Sequence, residues 1–229
     1  MNQKDFNDKY LNQIICGDCL EVMRDMPDNC VDLVLTDPPY DAKTHKGAIL
    51  DNGIGFPPLA SVDELTEEML RVSRRWVIAF CSLEMLGDYK KASNKAWIRS
   101  GVWHRVVNMP QLSGDRPAQA CEGVAIMHNK GKKVWNGGGK AAFWQYSVER
   151  GKKKHPTQKP YEMFSKILKQ FSFEGETILD CYFGSGTTGI SCVKMNRNYI
   201  GIEISEEYCE TARKRVQEAK DSMGLFNKH

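Results

Sequence analysis

Asp37-Pro38-Pro39-Tyr40 is a run of residues suited to handling an aromatic amine. Proline has no N–H and fixes its own φ while restricting the residue before it, so Asp37 and Pro38 are held extended with carbonyls free to accept. An Asp37 oxygen and the Pro38 carbonyl can together take both protons of an exocyclic amino group. Tyr40 offers a flat face on which a planar ring can stack. A plain strand-ending turn uses the same residue types, so the tetrapeptide alone leaves both readings open.

A second run narrows the choice. Asp180-Cys181-Tyr182-Phe183-Gly184-Ser185-Gly186-Thr187-Thr188 reads as a strand end, a glycine turn and a helix start. Gly184 and Gly186 let the backbone approach a ligand closely, and Thr187 or Thr188 is expected to cap the helix. The run lacks the Gly-Lys-Ser/Thr ending of a phosphate loop. About twenty residues on, Asn198-Tyr199-Ile200-Gly201-Ile202-Glu203 ends in a carboxylate where nucleotide-binding sheets place the acid that grips a ribose. An ordinary helix-opening acid would stand there too. Cys16-Gly17-Asp18-Cys19 has CxxC spacing, but neither a second pair nor a nearby histidine completes a zinc site, so no metal is expected. It reads instead as a strand ending at Cys16, with Asp18 and Cys19 opening a helix.

The elements that must position these residues alternate. Four of the five residues Val31-Asp32-Leu33-Val34-Leu35 are apolar, as in a strand buried on both faces of a parallel sheet, and the prolines forbid its continuation. The tetrapeptide therefore sits at a strand's carboxyl edge, where open α/β sheets bind ligands. Gln13–Cys16, Trp76–Ser82, Thr177–Cys181 and Tyr199–Glu203 read as further core strands, separated by helical segments. Ser61-Val62-Asp63-Glu64 has the capping-box pattern, with Leu65, Met69 and Val72 spaced as a buried stripe. Met163, Phe164, Ile167, Leu168 and Phe171 mark a helix after Pro160. Tyr208, Ala212, Val216 and Ala219 mark another, from near Ser205 to about Asp221. Val102–Asn108 and Gly123–His128 suit an antiparallel hairpin at one end of the sheet.

Composition bounds the rest. With 229 residues, 41% of them hydrophobic, the chain can bury one substantial core, so a single domain over 1–229 is expected. No stretch approaches a membrane span and Met1–Lys9 is polar, so a cytoplasmic protein without a leader is expected. The eight cysteines, scattered through strands and helices, read as reduced thiols. Charge is uneven: from His128 to Pro160 nine Lys/Arg face one acid, a net of +8, whereas the whole chain is +3, so the remainder carries −5. Trp135, Phe143, Trp144 and Tyr146 and the triplet Gly137-Gly138-Gly139 interleave with those cations. A basic, aromatic-studded segment of this kind neutralises phosphates and releases counterions, although a solvated basic loop has the same composition.

In these residues the chain resembles the S-adenosylmethionine-dependent DNA amino-methyltransferases, with Asp37-Pro38-Pro39-Tyr40 as catalytic motif and Asp180 to Thr188 as cofactor loop. Catalytic motif before cofactor loop is the order of their beta group of adenine-N6 and cytosine-N4 enzymes; ribosomal-RNA and protein-glutamine relatives resemble the opposite order. His155-Pro156-Thr157-Gln158-Lys159-Pro160 is similar to the segment that closes over the cofactor's methionine end in that group. The resemblance covers most of the chain, with least support from Ala42 to Lys154.

It implies an α/β, Rossmann-like methyltransferase fold: a mostly parallel central sheet with one antiparallel hairpin and helices on both faces. It implies S-adenosylmethionine as cofactor, held by Asp18, Cys19, Asp37, Thr157, Gln158 and Lys159 and by the loop residues Asp180, Phe183, Gly184, Ser185, Gly186, Thr187 and Thr188, with Glu203 on the ribose. Double-stranded DNA is the implied partner, and the enzyme a monomer or homodimer. Asp at the first motif position resembles the adenine-N6 enzymes, where many cytosine-N4 enzymes carry Ser. The expected product is thus a methyl group on N6 of a flipped-out adenine, with cytosine N4 as the alternative. A catalytically silent DNA-binding relative would need only the basic segment; intact Asp37, Tyr40, Gly184, Gly186 and Glu203 argue against it. Segments 42–60 and 104–154 are the expected DNA-contacting insertions. Lys130, Lys132, Lys133, Lys140, Arg150, Lys152, Lys153 and Lys154 are expected at phosphates, and Arg105 and Arg116 at bases.

Overall fold

A computed structural model of the chain describes residues 1–40, 61–106, 113–147 and 159–226. The described chain runs α1 (Gln3–Tyr10), β1 (Gln13–Cys16), α2 (Cys19–Arg24), β2 (Val31–Thr36), α3 (Val62–Val72), β3 (Ser73–Cys81), α4 (Leu86–Ser93), β4 (Trp97–His104), β5 (Cys121–His128), β6 (Phe143–Gln145), α5 (Tyr161–Phe171), β7 (Thr177–Asp180), α6 (Thr187–Lys194), β8 (Asn198–Glu203) and α7 (Glu206–Phe226). The strands form one sheet in the order β1-β8-β7-β2-β3-β5-β4-β6. From β1 through β3 all neighbours are parallel; β5 is antiparallel to both β3 and β4, and β6 adds parallel to β4. From β2 the chain builds outward to β3, and from β7 it builds the other way to β8. The topological switch point, where such sheets bind ligands beyond the strands' carboxyl ends, therefore lies between β2 and β7.

Two cores cover the two faces. Leu33 and Leu35 of β2 point to the face covered by α5, α6 and α7, and Val34 between them points to the face covered by α1 to α4. A strand sandwiched in this way has apolar residues on both faces, the source of its continuous hydrophobic run. The α5 stripe is as predicted, with Met163, Ile167 and Leu168 fully buried and the Phe164 ring stacked on Phe80 at 5.5 Å between centroids. Each such side chain contributes about 1.5–3 kcal/mol relative to leaving it exposed. In α3, Leu65, Met69 and Val72 are fully buried, and the Ser61 hydroxyl accepts from the Glu64 N–H at 3.2 Å.

The expected core strands are all present, and several ends differ. β3 begins at Ser73, and β4 begins at Trp97, ahead of Val102, because exposed Arg99 and Ser100 at a register shift hide its first half. β5 begins at Cys121; the expected strand residues Val107 and Asn108 lie outside the described residues. Three-residue β6 was not anticipated, being too short to show a period. In α7 it is Cys209, fully buried, and not half-exposed Tyr208, that joins Ala212, Val216 and Ala219 on the sheet-facing stripe.

Candidate functional site

The carboxyl ends of β2 and β7 are tied together across the switch point. The Thr36 hydroxyl donates to Asp180 Oδ1 at 2.8 Å, and the Tyr182 N–H donates to the same oxygen at 3.1 Å. On the other side, Thr188 Oγ1 donates to Asp180 Oδ2 at 2.6 Å. Burial pushes the Asp180 carboxyl up to about 6 against these three hydrogen bonds, each of which pulls it down. The expected helix cap is thereby corrected. Gly186, in the left-handed region at φ 86°, is the N-cap of α6 without a side-chain bond, and Thr188 serves Asp180 instead.

Between these anchors the glycine loop presents backbone. Gly184 has φ 51°, and a Cβ built there would meet nothing within 4 Å, so the loop faces open space at this residue. The loop is not without a third glycine at the dinucleotide spacing: Gly189 completes Gly-x-Gly-x-x-Gly with Gly184 and Gly186. Cβ atoms at Gly189 and Gly201 would come within 2.6 and 2.5 Å of the Phe183 ring. Phe183 is thus a core residue whose ring is clamped between helix and strand. Ser185 is also committed, its hydroxyl accepting from Arg215 at 2.7 Å. Glu203, at the end of β8, accepts from the Gly184 N–H at 2.8 Å through one oxygen and from the Ser205 N–H at 2.9 Å through the other. A carboxylate offers about four lone-pair sites, so two acceptor positions remain beside the loop. The neighbouring strand end carries exposed Asp18, N-cap of α2 through the Leu20 and Glu21 N–H groups, and buried Cys19.

Asp37, Pro38, Pro39 and Tyr40 leave β2 directly into a charged cluster. The Lys159 ammonium bonds Asp37 Oδ2, and the Tyr40 hydroxyl lies 3.2 Å from Asp37 Oδ1. The same hydroxyl donates to Glu122 Oε2 at 2.6 Å, and Lys159 Nζ lies 3.2 Å from that oxygen. Arg105 stands 3.7 Å from Glu122 Oε1. Burial and the nearby Glu122 push the Asp37 carboxyl above its ordinary value, while Lys159 opposes them. Burial lowers the Lys159 ammonium, but the two carboxylates outweigh it and hold it above its ordinary value. Tyr40 is pushed well up by burial and the flanking carboxylates, so its phenol stays a donor. Lys159 also lies over the rings of Tyr40, Phe80 and Trp103, each 5.5–5.6 Å from the ammonium. Lys159 therefore meets the Asp-Pro-Pro-Tyr residues and not the glycine loop; Thr157 and Gln158 lie outside the described residues.

Glu122 was not foreseen. Its only sequence signal is a lone acid in the apolar run Cys121-Glu122-Gly123-Val124-Ala125-Ile126-Met127. The antiparallel direction of β5 is what brings its first residues to the edge where β3 ends, Cys81 pairing with Gly123.

That direction also places the first part of the basic segment. His128, at the far end of β5, pairs with Trp76 near the start of β3, and Asn129 donates to the Arg75 carbonyl at 2.7 Å. Exposed Lys130, Lys132 and Lys133 follow, before the Val134 carbonyl accepts from Trp76 Nε1. These three lysines lie at the opposite edge of the sheet from Asp37, the six steps from Glu122 to His128 spanning about 20 Å of strand. Lys140 is exposed between that edge and β6, and Arg116 is exposed and paired with Asp115 at 3.0 Å. Arg105 donates to the Gln119 carbonyl at 2.8 Å. Arg150, Lys152, Lys153 and Lys154 fall outside the described residues. Among the described residues, no group of three or more His, Cys, Asp or Glu is placed to hold a metal ion, and no helix is long and apolar enough to cross a membrane.

A family model described as DNA methylase matches residues 31–214. The Type II methyltransferase M.HinfI of Haemophilus influenzae is 29% identical over 96% of this chain and 72% of its own length. Among solved structures, the M1.HpyAVI–SAM complex is 27% identical with a TM-score of 0.69, covering 89% of this chain and 98% of that one. PvuII DNA methyltransferase, titled cytosine-N4-specific, shares the fold with a TM-score of 0.67 at 14% identity, covering 91% and 90%.

Proposed function

The chain belongs to the DNA methylase family, and from that premise we propose that it methylates N6 of an adenine flipped out of DNA. It is a DNA methyltransferase that uses S-adenosylmethionine, which supplies an electrophilic methyl group when bound. The open space beside Gly184 and the spare acceptor positions of Glu203 fit that cofactor. Glu203 would take the ribose hydroxyls, the backbone from Gly184 to Gly186 would lie against the methionine portion, and Asp18 and Cys19 would border the adenine. Thr157 and Gln158 belong to the same proposed binding set.

The observation that carries the amine reading is the Asp37 carboxylate followed by Pro38 where β2 ends, at the switch point of the sheet. The exocyclic amine lone pair is delocalised into the base, so the nitrogen is a poor nucleophile. Asp37 and the Pro38 carbonyl would accept its protons and draw it toward tetrahedral geometry, a stabilisation that grows as positive charge develops on nitrogen. Tyr40 would stack on the extruded base. An ordinary carboxylate is weakly basic, so Asp37 acts by orientation and charge more than by full proton abstraction. Supporting the choice of adenine is Asp at the first motif position.

For DNA, we assign phosphate contacts first to Arg150, Lys152, Lys153 and Lys154. In the sequence Lys154 stands five residues before Lys159. Segments 42–60 and 104–154 are the proposed DNA-contacting insertions of one domain. Incubating plasmid DNA with enzyme and S-adenosylmethionine, then analysing nucleosides by mass spectrometry, tests the reading. N6-methyladenine is expected, and N4-methylcytosine in its place would overturn the base assignment.

A further inference from the structure

Each oxygen of Asp37 holds one partner, Oδ2 the Lys159 ammonium and Oδ1 the Tyr40 hydroxyl. An amino group that offers a proton to Asp37 competes with these two partners for its lone pairs, and it meets the ammonium's charge as its own nitrogen turns positive. Both occupants share a second acceptor: Glu122 Oε2 lies 2.6 Å from the Tyr40 hydroxyl and 3.2 Å from Lys159 Nζ. Its other oxygen faces Arg105, which leaves Oε2 turned to the cluster. We infer that Glu122 is a positioning residue that holds the Tyr40 hydroxyl and takes over Lys159 when Asp37 receives the substrate amine.

The physical reason is the cost of a stranded charge. The Lys159 side chain is only 9% exposed. A buried ammonium that leaves its carboxylate without another partner is strongly destabilised, so without Glu122 it would stay on Asp37 and block the amine. With Glu122 present the ammonium moves a fraction of its bonding from one carboxylate to the other and is never unpaired. The neutral phenol of Tyr40 needs no such move, because its one proton already donates to Glu122 Oε2, the nearer acceptor. The inference rests on the proposal that Asp37 accepts the amine protons.

The consequence for pH follows from the charges around Asp37. Tyr40 after β2, Cys81 at the end of β3, Tyr89 on α4, Glu122 on β5, Lys159 ahead of α5 and Asp180 on β7 face it, and Arg105 beyond β4 faces Glu122. Of these, only Glu122 changes in the variants below. Its negative charge raises the Asp37 carboxyl, so removing it lets the carboxyl ionise at lower pH.

The test measures kcat/KM for methyl transfer from isotope-labelled S-adenosylmethionine to plasmid DNA across pH, because that ratio reports ionisations of the free enzyme. Glu122→Gln keeps an acceptor for Tyr40 and loses the charge; it is expected to lower kcat/KM by about ten- to a hundred-fold and to move the acid limb to lower pH. Glu122→Asp, with its carboxylate drawn back by one methylene, is expected to move the limb the same way by less. Calorimetric S-adenosylmethionine binding identifies a folded variant, and should the Gln variant not fold, the Asp variant decides alone. An unmoved acid limb in a folded variant overturns the inference, whether or not activity falls, since lost packing alone does not shift the limb. Asp37→Asn separates the two levels. If it retains turnover, the reading of Asp37 fails and this inference with it; if it is inactive while the Glu122 variants keep the parental limb, only the role of Glu122 fails.

Discussion

Asp37, partly buried, and Asp180, buried, are both carboxylates at the switch point, yet their surroundings assign them different work. Asp37 faces Lys159, Tyr40 and, through them, Glu122, whereas Asp180 is bonded by two threonine hydroxyls and a backbone N–H. Asp37→Asn is therefore expected to abolish methyl transfer while leaving S-adenosylmethionine affinity within a few-fold; a calorimetric titration beside a transfer assay reads both. Asp180 titrates in the fold instead. Its carboxyl sits at about 6, above the ordinary value it regains on unfolding, so the native state holds the proton more tightly. Stability from this group is gained as pH falls through 6 toward 4 and is lost as pH rises. Relative to Asp180→Asn, the parent should gain up to about 3 kcal/mol between pH 7 and pH 4, which urea melts at the two pH values measure.

At the scale of elements, the β7–α6 turn and strand β8 act as one device. Glu203 ties the loop to the strand end, and Phe183 locks loop, helix and strand together between Gly189 and Gly201. The glycines of this region consequently differ in what they protect. Gly184→Val places its side chain in open space at a positive φ, so it should cost about 1–2 kcal/mol of stability and weaken S-adenosylmethionine binding much more. Gly201→Val drives a Cβ to 2.5 Å from the Phe183 ring in the middle of the sheet, and should lower the melting temperature sharply before any binding can be assessed. Thermal melts with and without cofactor distinguish the two patterns. Glu203→Ala should lose cofactor affinity and also loosen the loop, because both carboxylate oxygens carry backbone N–H bonds.

For the whole molecule, the direction of β5 decides where charge lies. Lys130, Lys132 and Lys133 stand at the edge away from Asp37, while Lys152, Lys153 and Lys154 are tethered by a few residues to Lys159 in the site. Replacing the second triplet with Gln is expected to weaken DNA binding and flatten its salt dependence by close to one unit of log–log slope per lost phosphate contact. Replacing the first triplet should leave both nearly unchanged. Equilibrium binding to a duplex at several salt concentrations measures this, and equal effects of the two triplets would show that DNA reaches both edges.

The sequence by itself determined the five parallel core strands, the Asp-Pro-Pro-Tyr and glycine-loop motifs and the family they point to. Those signals are local: an apolar run, a proline stop, a positive-φ glycine and a helical stripe each act through neighbours within a few residues. The tertiary structure alone decided that Glu122 joins the cluster around Asp37, that Lys159 meets the Asp-Pro-Pro-Tyr residues, that Phe183 is core and that Lys130, Lys132 and Lys133 stand at the edge away from Asp37. Each of these depends on strand order or direction, which bring Tyr40 to Glu122 and Asp37 to Lys159 across more than eighty positions of sequence. No periodicity within a single segment records such a meeting, because its energy is released only when the sheet closes around it.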